Sequence, residues 1–171
     1  MLWFWISITA VIFTSCEMPK PEPSPPILDL SGEVCSIKYG TNVYKASVTH
    51  IFQGVTSITF SEPSEAEGLI YSFSGNGCDV KLGDLTLNTE SSFMSDSSLP
   101  QVLNDIFESA QKEGALTFMD SEEPKASTLT TATFCGRTNY FTYELITDYD
   151  SGYIREINAD NVQLKVRLAG R

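Results

Sequence analysis

Residues 69–88 read LIYSFSGNGCDVKLGDLTLN, three short apolar-rich runs, Leu69 to Ser74, Cys78 to Leu82 and Leu85 to Asn88, separated by Gly75-Asn76-Gly77 and Gly83-Asp84. Asn and Gly tolerate the positive φ that tight hairpin turns require, so each separator reverses the chain and each run pairs antiparallel with the one before it. The same grammar extends outward in both directions. Upstream lie Val34 to Tyr39, closed by Gly40-Thr41-Asn42, then Val43 to His50, then Val55 to Ser61, closed by Glu62-Pro63. Downstream lie Leu116 to Met119, Ser127 to Cys135, Tyr140 to Thr147, Tyr153 to Asn158 and Val162 to Leu168. The last run alternates, with Val162, Leu164, Val166 and Leu168 on one face and Gln163, Lys165 and Arg167 on the other. That pattern belongs to a sheet with one buried face and one wet face.

One helix interrupts the strands. Leu99, Val102, Leu103, Ile106, Phe107 and Ala110 fall at i, i+3, i+4, i+7, i+8 and i+11, an apolar stripe of helical period. Ser98 and Gln101 have the spacing of a capping box, Pro100 stands in the first turn, Glu108 and Lys112 are spaced i,i+4, and Gly114 supplies the stop. The expectation is a mainly β, α+β domain. Its sheet is a curved antiparallel sheet or unclosed β-barrel, with the one amphipathic helix packed on the concave face as ordinary core or as a movable lid.

The chain of 171 residues carries 22 acidic and 11 basic side chains, a formal net charge of -11. Such a balance excludes nucleic-acid binding through a basic patch, since phosphate contacts need clustered Lys and Arg. Residues 1–16, MLWFWISITAVIFTSC, hold no charged side chain, and their apolar run is too short for a permanent span of about 20 residues. Residues 1–15 therefore read as a secretory signal. Ile12 to Cys16 resembles a degenerate lipobox, in which the Cys16 thiol becomes a diacylated mature N-terminus; an ordinary cleaved signal and an uncleaved anchor are the other readings. Acyl chains hold a protein at a membrane through roughly 0.8 kcal/mol per buried CH₂. Residues 17–26, EMPKPEPSPP, carry five of the eight prolines and read as an extended spacer. The division expected is 1–15 signal, 16–31 lipidated Cys and Pro-rich spacer, and 32–171 β domain, at the extracytoplasmic face of the cell membrane.

Catalytic constellations are sparse. His50 is the single histidine and stands at a strand end, where a half-exposed imidazole is unremarkable. G-x-S-x-G, P-loop, G-x-G-x-x-G and H-E-x-x-H patterns are missing. Asp148-Tyr149-Asp150-Ser151-Gly152 resembles the start of a calcium loop, but no Glu follows at the right distance and a hairpin turn is the better reading. Cys35, Cys78 and Cys135 lack C-x-x-C spacing; one disulfide with a free thiol, or three free thiols, both fit. The expectation is no enzyme, no metal and no cofactor.

The order of elements is similar to the LolA/LolB-like lipoprotein carrier fold, including its mycobacterial LppX/LprG-type members. The strand Tyr44-Lys45-Ala46-Ser47-Val48 carries the resemblance first, then the run Gly54-Val55-Thr56-Ser57-Ile58-Thr59-Phe60-Ser61-Glu62-Pro63, the hairpin about Gly75-Asn76-Gly77 and the helix from Leu99. The closing hairpin, Tyr143 to Asp150 with Gly152, Ile157, Asn161-Val162 and Leu164, completes it. A departure stands at the front: Ile27 to Leu30 gives only a short start before Gly32 where the family has a long helix. The resemblance implies a concave apolar face that receives lipid or an acylated protein, formed here by Ile58, Phe60, Leu69, Tyr71, Phe73, Val80, Leu82, Val102, Ile106, Phe107, Val162 and Leu164. For each of these, ordinary core packing is the competing reading. A membrane-tethered scaffold that binds protein through the same fold is the alternative function.

Overall fold

The turn chemistry of residues 69–88 produces the hairpins it predicts, and the remaining strands continue the meander. The computed structural model describes residues 22–51, 54–122 and 130–169, leaving out the side chains of residues 120–122. The expected signal segment, Cys16 and the first part of the spacer lie outside the described residues, as do residues 127–129 of the strand expected from Ser127. The strands are β1 (Leu30–Tyr39), β2 (Asn42–Ile51), β3 (Val55–Glu62), β4 (Leu69–Ser74), β5 (Gly77–Leu82), β6 (Leu85–Glu90), β7 (Thr117–Glu122), β8 (Thr131–Arg137), β9 (Thr142–Asp148), β10 (Ile154–Ala159) and β11 (Leu164–Leu168). The helix, α1, is Leu99–Ala110.

All eleven strands form one antiparallel sheet in the order β6-β5-β4-β3-β2-β1-β11-β10-β9-β8-β7. The first and last strands pair at its centre, Cys35 opposite Leu168 and Ile37 opposite Val166. Its two edges, β6 and β7, do not pair with each other and are joined in sequence through α1. The helix touches both β3 and β8. In a flat sheet those strands, six places apart, would be separated by about 29 Å, more than twice the roughly 11 Å width of a helix. The sheet therefore curls around α1, an unclosed barrel with the helix in its concavity.

One face of the central strands is buried around that helix. The row Ile37, Val166, Ile157, Leu145 and Phe134 runs across five paired strands, and all five residues are buried. The six residues of the α1 stripe are buried too. A twelve-residue helix is marginal in water, whereas burying each large apolar side chain contributes about 1.5–3 kcal/mol, so tertiary packing is what holds α1.

Several local expectations are corrected. β1 starts at Leu30, ahead of Val34, because a register shift between Leu30 and Glu33, with Gly32 at φ 69, lets the strand bend and continue. Val162 does not belong to the last strand: it closes a 3₁₀ turn, and Gln163 at φ 53 interrupts the extended run, so β11 begins at Leu164. Ser98 is the N-cap residue but makes no capping bond through its side chain, and Gln101 instead donates to Asp105 Oδ1 at 2.7 Å. Glu108 accepts from Asn104 Nδ2 at 2.9 Å. Part of the Pro-rich stretch lies against the domain: the amides of Ser24 and Ile27 donate to the carbonyls of Tyr149 and Gly152 at 2.9 and 2.8 Å. Gly152 (φ 71) is needed there, since a Cβ would stand 2.1 Å from the Pro25 carbonyl oxygen.

Candidate functional site

The twelve residues expected on the apolar face separate into two groups. Ile58, Phe60, Phe73, Val102, Ile106, Phe107 and Leu164 are buried, most of them in the core around α1. Leu69, Tyr71, Val80 and Val162 are half-buried, and Leu82 is 49% exposed. Except for Val162, the second group sits on β4 and β5, toward the β6 edge of the sheet.

Register shows that this uncovered wing belongs to the same concave face. Ile58 stands opposite Tyr71, Tyr71 opposite Val80, and Val80 opposite Leu87. Leu69 pairs with Leu82, which pairs with Leu85. Leu85 and Leu87 are 74% and 63% exposed, so the apolar surface grows more open toward the β6 edge. Sequence reasoning places both in a strand but leaves them out of the binding face, although the alternation Leu85-Thr86-Leu87 carries the signal. An aromatic ladder links wing and core: Tyr44 and Phe60 meet edge to face at 5.6 Å, and Phe60 and Tyr71 at 6.2 Å.

Beneath Leu103 and Phe107 little space remains. The space between Leu103 and Phe107 of α1 and the sheet residues Leu30, Cys35, Val48, Ile157, Val166 and Leu168 is about 10 Å³. That holds one water at most, and no acyl chain enters it unless α1 moves.

His50 is fully buried, not half-exposed as expected. Its ring stacks on Phe107 at 4.7 Å, Nδ1 lies 2.9 Å from Thr56 Oγ1, and Gln111 Nε2 donates to Nε2. Burial drives its pKa down to about 4, against a smaller opposing pull from Asp29. The ring is a neutral bolt between β2 and the end of α1.

Cys35 and Cys78 are buried free thiols, and Cys135 is a half-buried one. Burial pushes the Cys35 thiol up to about 12, which makes its thiolate, the reactive form, negligible. Asp148 pairs with Arg155 at 2.9 Å, and the Gly152 amide donates to the Asp148 carbonyl, so this segment is a turn. Among the described residues no group of three His, Cys, Asp or Glu is placed to hold a metal ion, and no helix is long and apolar enough to cross a membrane.

The molecule is thus a half-open antiparallel sheet curled around one amphipathic helix, with an apolar wing left bare. It is similar to a conserved protein of uncharacterised role from Thermus thermophilus, at 10% identity and a TM-score of 0.48 over 80% of this chain and 74% of that one. It is also similar to a LolA superfamily protein from Nitrosomonas europaea, at 9% identity and a TM-score of 0.39 over 77% and 66%. The Mycobacterium tuberculosis lipoprotein LppX is a third, at 13% identity and a TM-score of 0.42 over 81% and 84%. No protein-family model and no curated protein matches the sequence. At these identities and TM-scores the likeness is one of architecture, and the functional reading rests on the geometry above.

Proposed function

We propose that this protein is a noncatalytic binding module of the bacterial cell envelope, which takes an acyl chain, from a lipid or a lipidated partner, on the concave face of β4, β5 and β6. The supporting observation is the row Leu82, Leu85 and Leu87, at 49%, 74% and 63% exposure, continuous in register with the core. Exposed apolar area of this kind gains roughly 25 cal/mol per Å² when a ligand covers it, with no catalytic group required. In this reading residues 1–15 direct export, Cys16 carries the acyl anchor, the Pro-rich stretch ahead of Ser24 forms the linker, and the β domain that begins with β1 binds. Lipid extracted from the purified protein and analysed by mass spectrometry should include an acyl species in stoichiometric amount. A fluorescent fatty acid should bind, and Leu85→Ser with Leu87→Ser should weaken it by about tenfold to a hundredfold while the fold is kept. Lipid-free protein with no fatty-acid uptake would overturn the reading.

The roughly 10 Å³ left beneath α1 favours the second reading, a membrane-tethered scaffold whose wing binds protein and whose core stays closed. Anchoring is separable from both readings. Cys16→Ser should abolish incorporation of radiolabelled fatty acid and release the chain or leave it unprocessed; labelling that persists in the variant would remove Cys16 as the anchor.

A further inference from the structure

The two edges of the unclosed sheet are built differently. The pairing of β7 with β8 carries a register shift between Phe118 and Asp120, and the β7 sequence includes Asp120 and Glu122. Bulges and charges of this kind keep an edge strand from pairing with another chain. Strand β6 has little of either. Its register with β5 is unbroken from Gly77 opposite Glu90 to Leu82 opposite Leu85, and Leu85 to Thr89 hold no charge and no proline. Five of its six residues are exposed, and among the described residues no strand pairs with its outer side. The direction of its main-chain groups follows from one bond: the Ser91 amide donates to the Asn76 carbonyl at 2.8 Å. Residues 85, 87 and 89 therefore turn their N–H and C=O toward β5, and alternation aims those of Thr86 and Asn88 away from the sheet.

We propose that β6 pairs antiparallel with β6 of a second copy of this chain, about a two-fold axis at Asn88, joining the two sheets edge to edge. Outward-facing groups pair only with outward-facing groups, so the axis falls at Thr86, Leu87 or Asn88. An axis at Leu87 sets Asp84 opposite Glu90, two like charges, which is destabilising. An axis at Thr86 overlaps only three residues of each strand. The axis at Asn88 overlaps five, sets Thr86 of each copy opposite Glu90 of the other, and opposes no like charges. It also makes a charge pair. Lys81 stands beside Thr86 on the same face, is exposed, and has no ion-pair partner among the described residues. Glu90 of the other copy then lies two strands from Lys81, about 10 Å between Cα atoms, and the two long side chains reach each other across the short Thr86. Symmetry supplies this pair twice. The leucines of both copies remain on the concave side, so the two wings form one apolar trough six strands wide, about 24 Å. The interface is small beside the 2,000 Å² or more of a permanent dimer, so the two copies exchange with monomer. The pairing does not depend on the lipid reading, since it uses the strand edge and the convex face.

Sedimentation equilibrium of the full chain should show a monomer–dimer exchange. Thr86→Pro removes one main-chain donor from each copy without touching the leucines or the bonds to β5, and should weaken the dimer about tenfold to a hundredfold. Lys81→Glu should weaken it too, and Lys81→Glu with Glu90→Lys should restore it. Cross-linking reads the register. The two-fold axis brings the Asn88 Cα atoms of the two copies to about 5.5 Å, within disulfide range, and keeps those of Thr86 about 14 Å apart. Under mild oxidation Asn88→Cys should give a covalent dimer above the level of the natural chain, and Thr86→Cys should not. Three results would overturn the proposal: a chain that stays monomeric at every concentration, equal cross-linking at the two positions, or Asn88→Cys bridged only to a different protein. Fatty-acid uptake separates this outcome from the lipid reading, since a dimer that takes up none leaves the pairing intact and a monomer that takes it up leaves the lipid site intact.

Discussion

Gly136→Ala should destabilise the domain by about 3 kcal/mol, an effect far larger than one methyl group normally has. Gly136 is opposite Tyr143 across the β8–β9 pair, and the tyrosine ring covers it. A Cβ at Gly136 would stand 2.3 Å from both Cζ and the hydroxyl oxygen and 2.7 Å from Cε2. Nothing about its backbone demands glycine, since it is not among the positive-φ residues; the requirement is space. The ring has nowhere to go, because Tyr143 is 1% exposed and its hydroxyl is hydrogen-bonded to Ser109 Oγ of α1 at 2.8 Å.

Overpacking of this kind costs about 1–3 kcal/mol, and loss of the Ser109 contact adds about 1 kcal/mol. Reduced freedom of the unfolded chain returns only about 0.4–1 kcal/mol. The denaturation midpoint in urea should therefore fall with an unchanged slope. Tyr143→Leu in the Gly136→Ala background removes the ring that clashes, so the double variant should be more stable than the sum of the two single losses. A change under about 0.5 kcal/mol for Gly136→Ala would mean that the ring is free to move, and would remove Tyr143 as the link between β8 and α1.

How much of this can be read in the sequence depends on how local the cause is. The hairpins of residues 69–88 are legible because Gly75, Asn76 and Gly83 act within a few residues of themselves, and the α1 stripe because its period is local. The pairing of β1 with β11 is not, since nothing near Cys35 indicates Leu168. Periodicity assigns Leu69, Tyr71, Val80 and Leu82 to the inner face but has no means of saying how far one twelve-residue helix will cover it. Coverage is a matter of size: α1 packs on β3 and β8, Phe73 and Cys78 are still buried, and Leu82, Leu85 and Leu87 of β5 and β6 are left exposed. Gln101 has the spacing of a cap partner, and only the packed helix shows its carbonyl without a donor. His50 reads as half-exposed because the residues that bury it, Phe107 and Gln111, lie more than fifty positions later in the chain. Exchange of a half-exposed histidine costs a fold little; burial gives His50 a consequence for stability.

Acid should weaken the domain by about 3 kcal/mol through His50 alone. Its folded pKa is about 4 against an ordinary value of 6.5, and each unit is worth about 1.4 kcal/mol. The sign follows from counting protons. Between those two values the unfolded chain holds a proton on the imidazole and the folded chain does not, so unfolding takes up a proton and stability falls as pH falls. Above about 6.5 both forms are neutral and the full contribution is present; below about 4 both are charged and it is gone. The geometry gives the reason, since Nε2 accepts from Gln111 and a proton there would face a donor in a space closed by Phe107. Two carboxyl groups also respond to acid, with opposite signs, Glu156 below its ordinary value of 4.5 and Asp105 above its ordinary value of 3.8. Burial would raise Glu156, but hydrogen bonds from Lys165 and Arg167 prevail and hold it low, so acid costs stability there as well. Asp105 is raised chiefly by burial, so its penalty is relieved as acid protonates it. His50→Gln isolates the histidine, placing an amide oxygen near the position of Nε2 as an acceptor for Gln111 while removing the titration. Chemical denaturation across the window should show a steep decline for the natural chain and a shallower one for His50→Gln, the two curves converging by about 3 kcal/mol at the acid end. Parallel curves would mean that the imidazole is already protonated, or free to leave its slot, and α1 would then lose its bolt to β2.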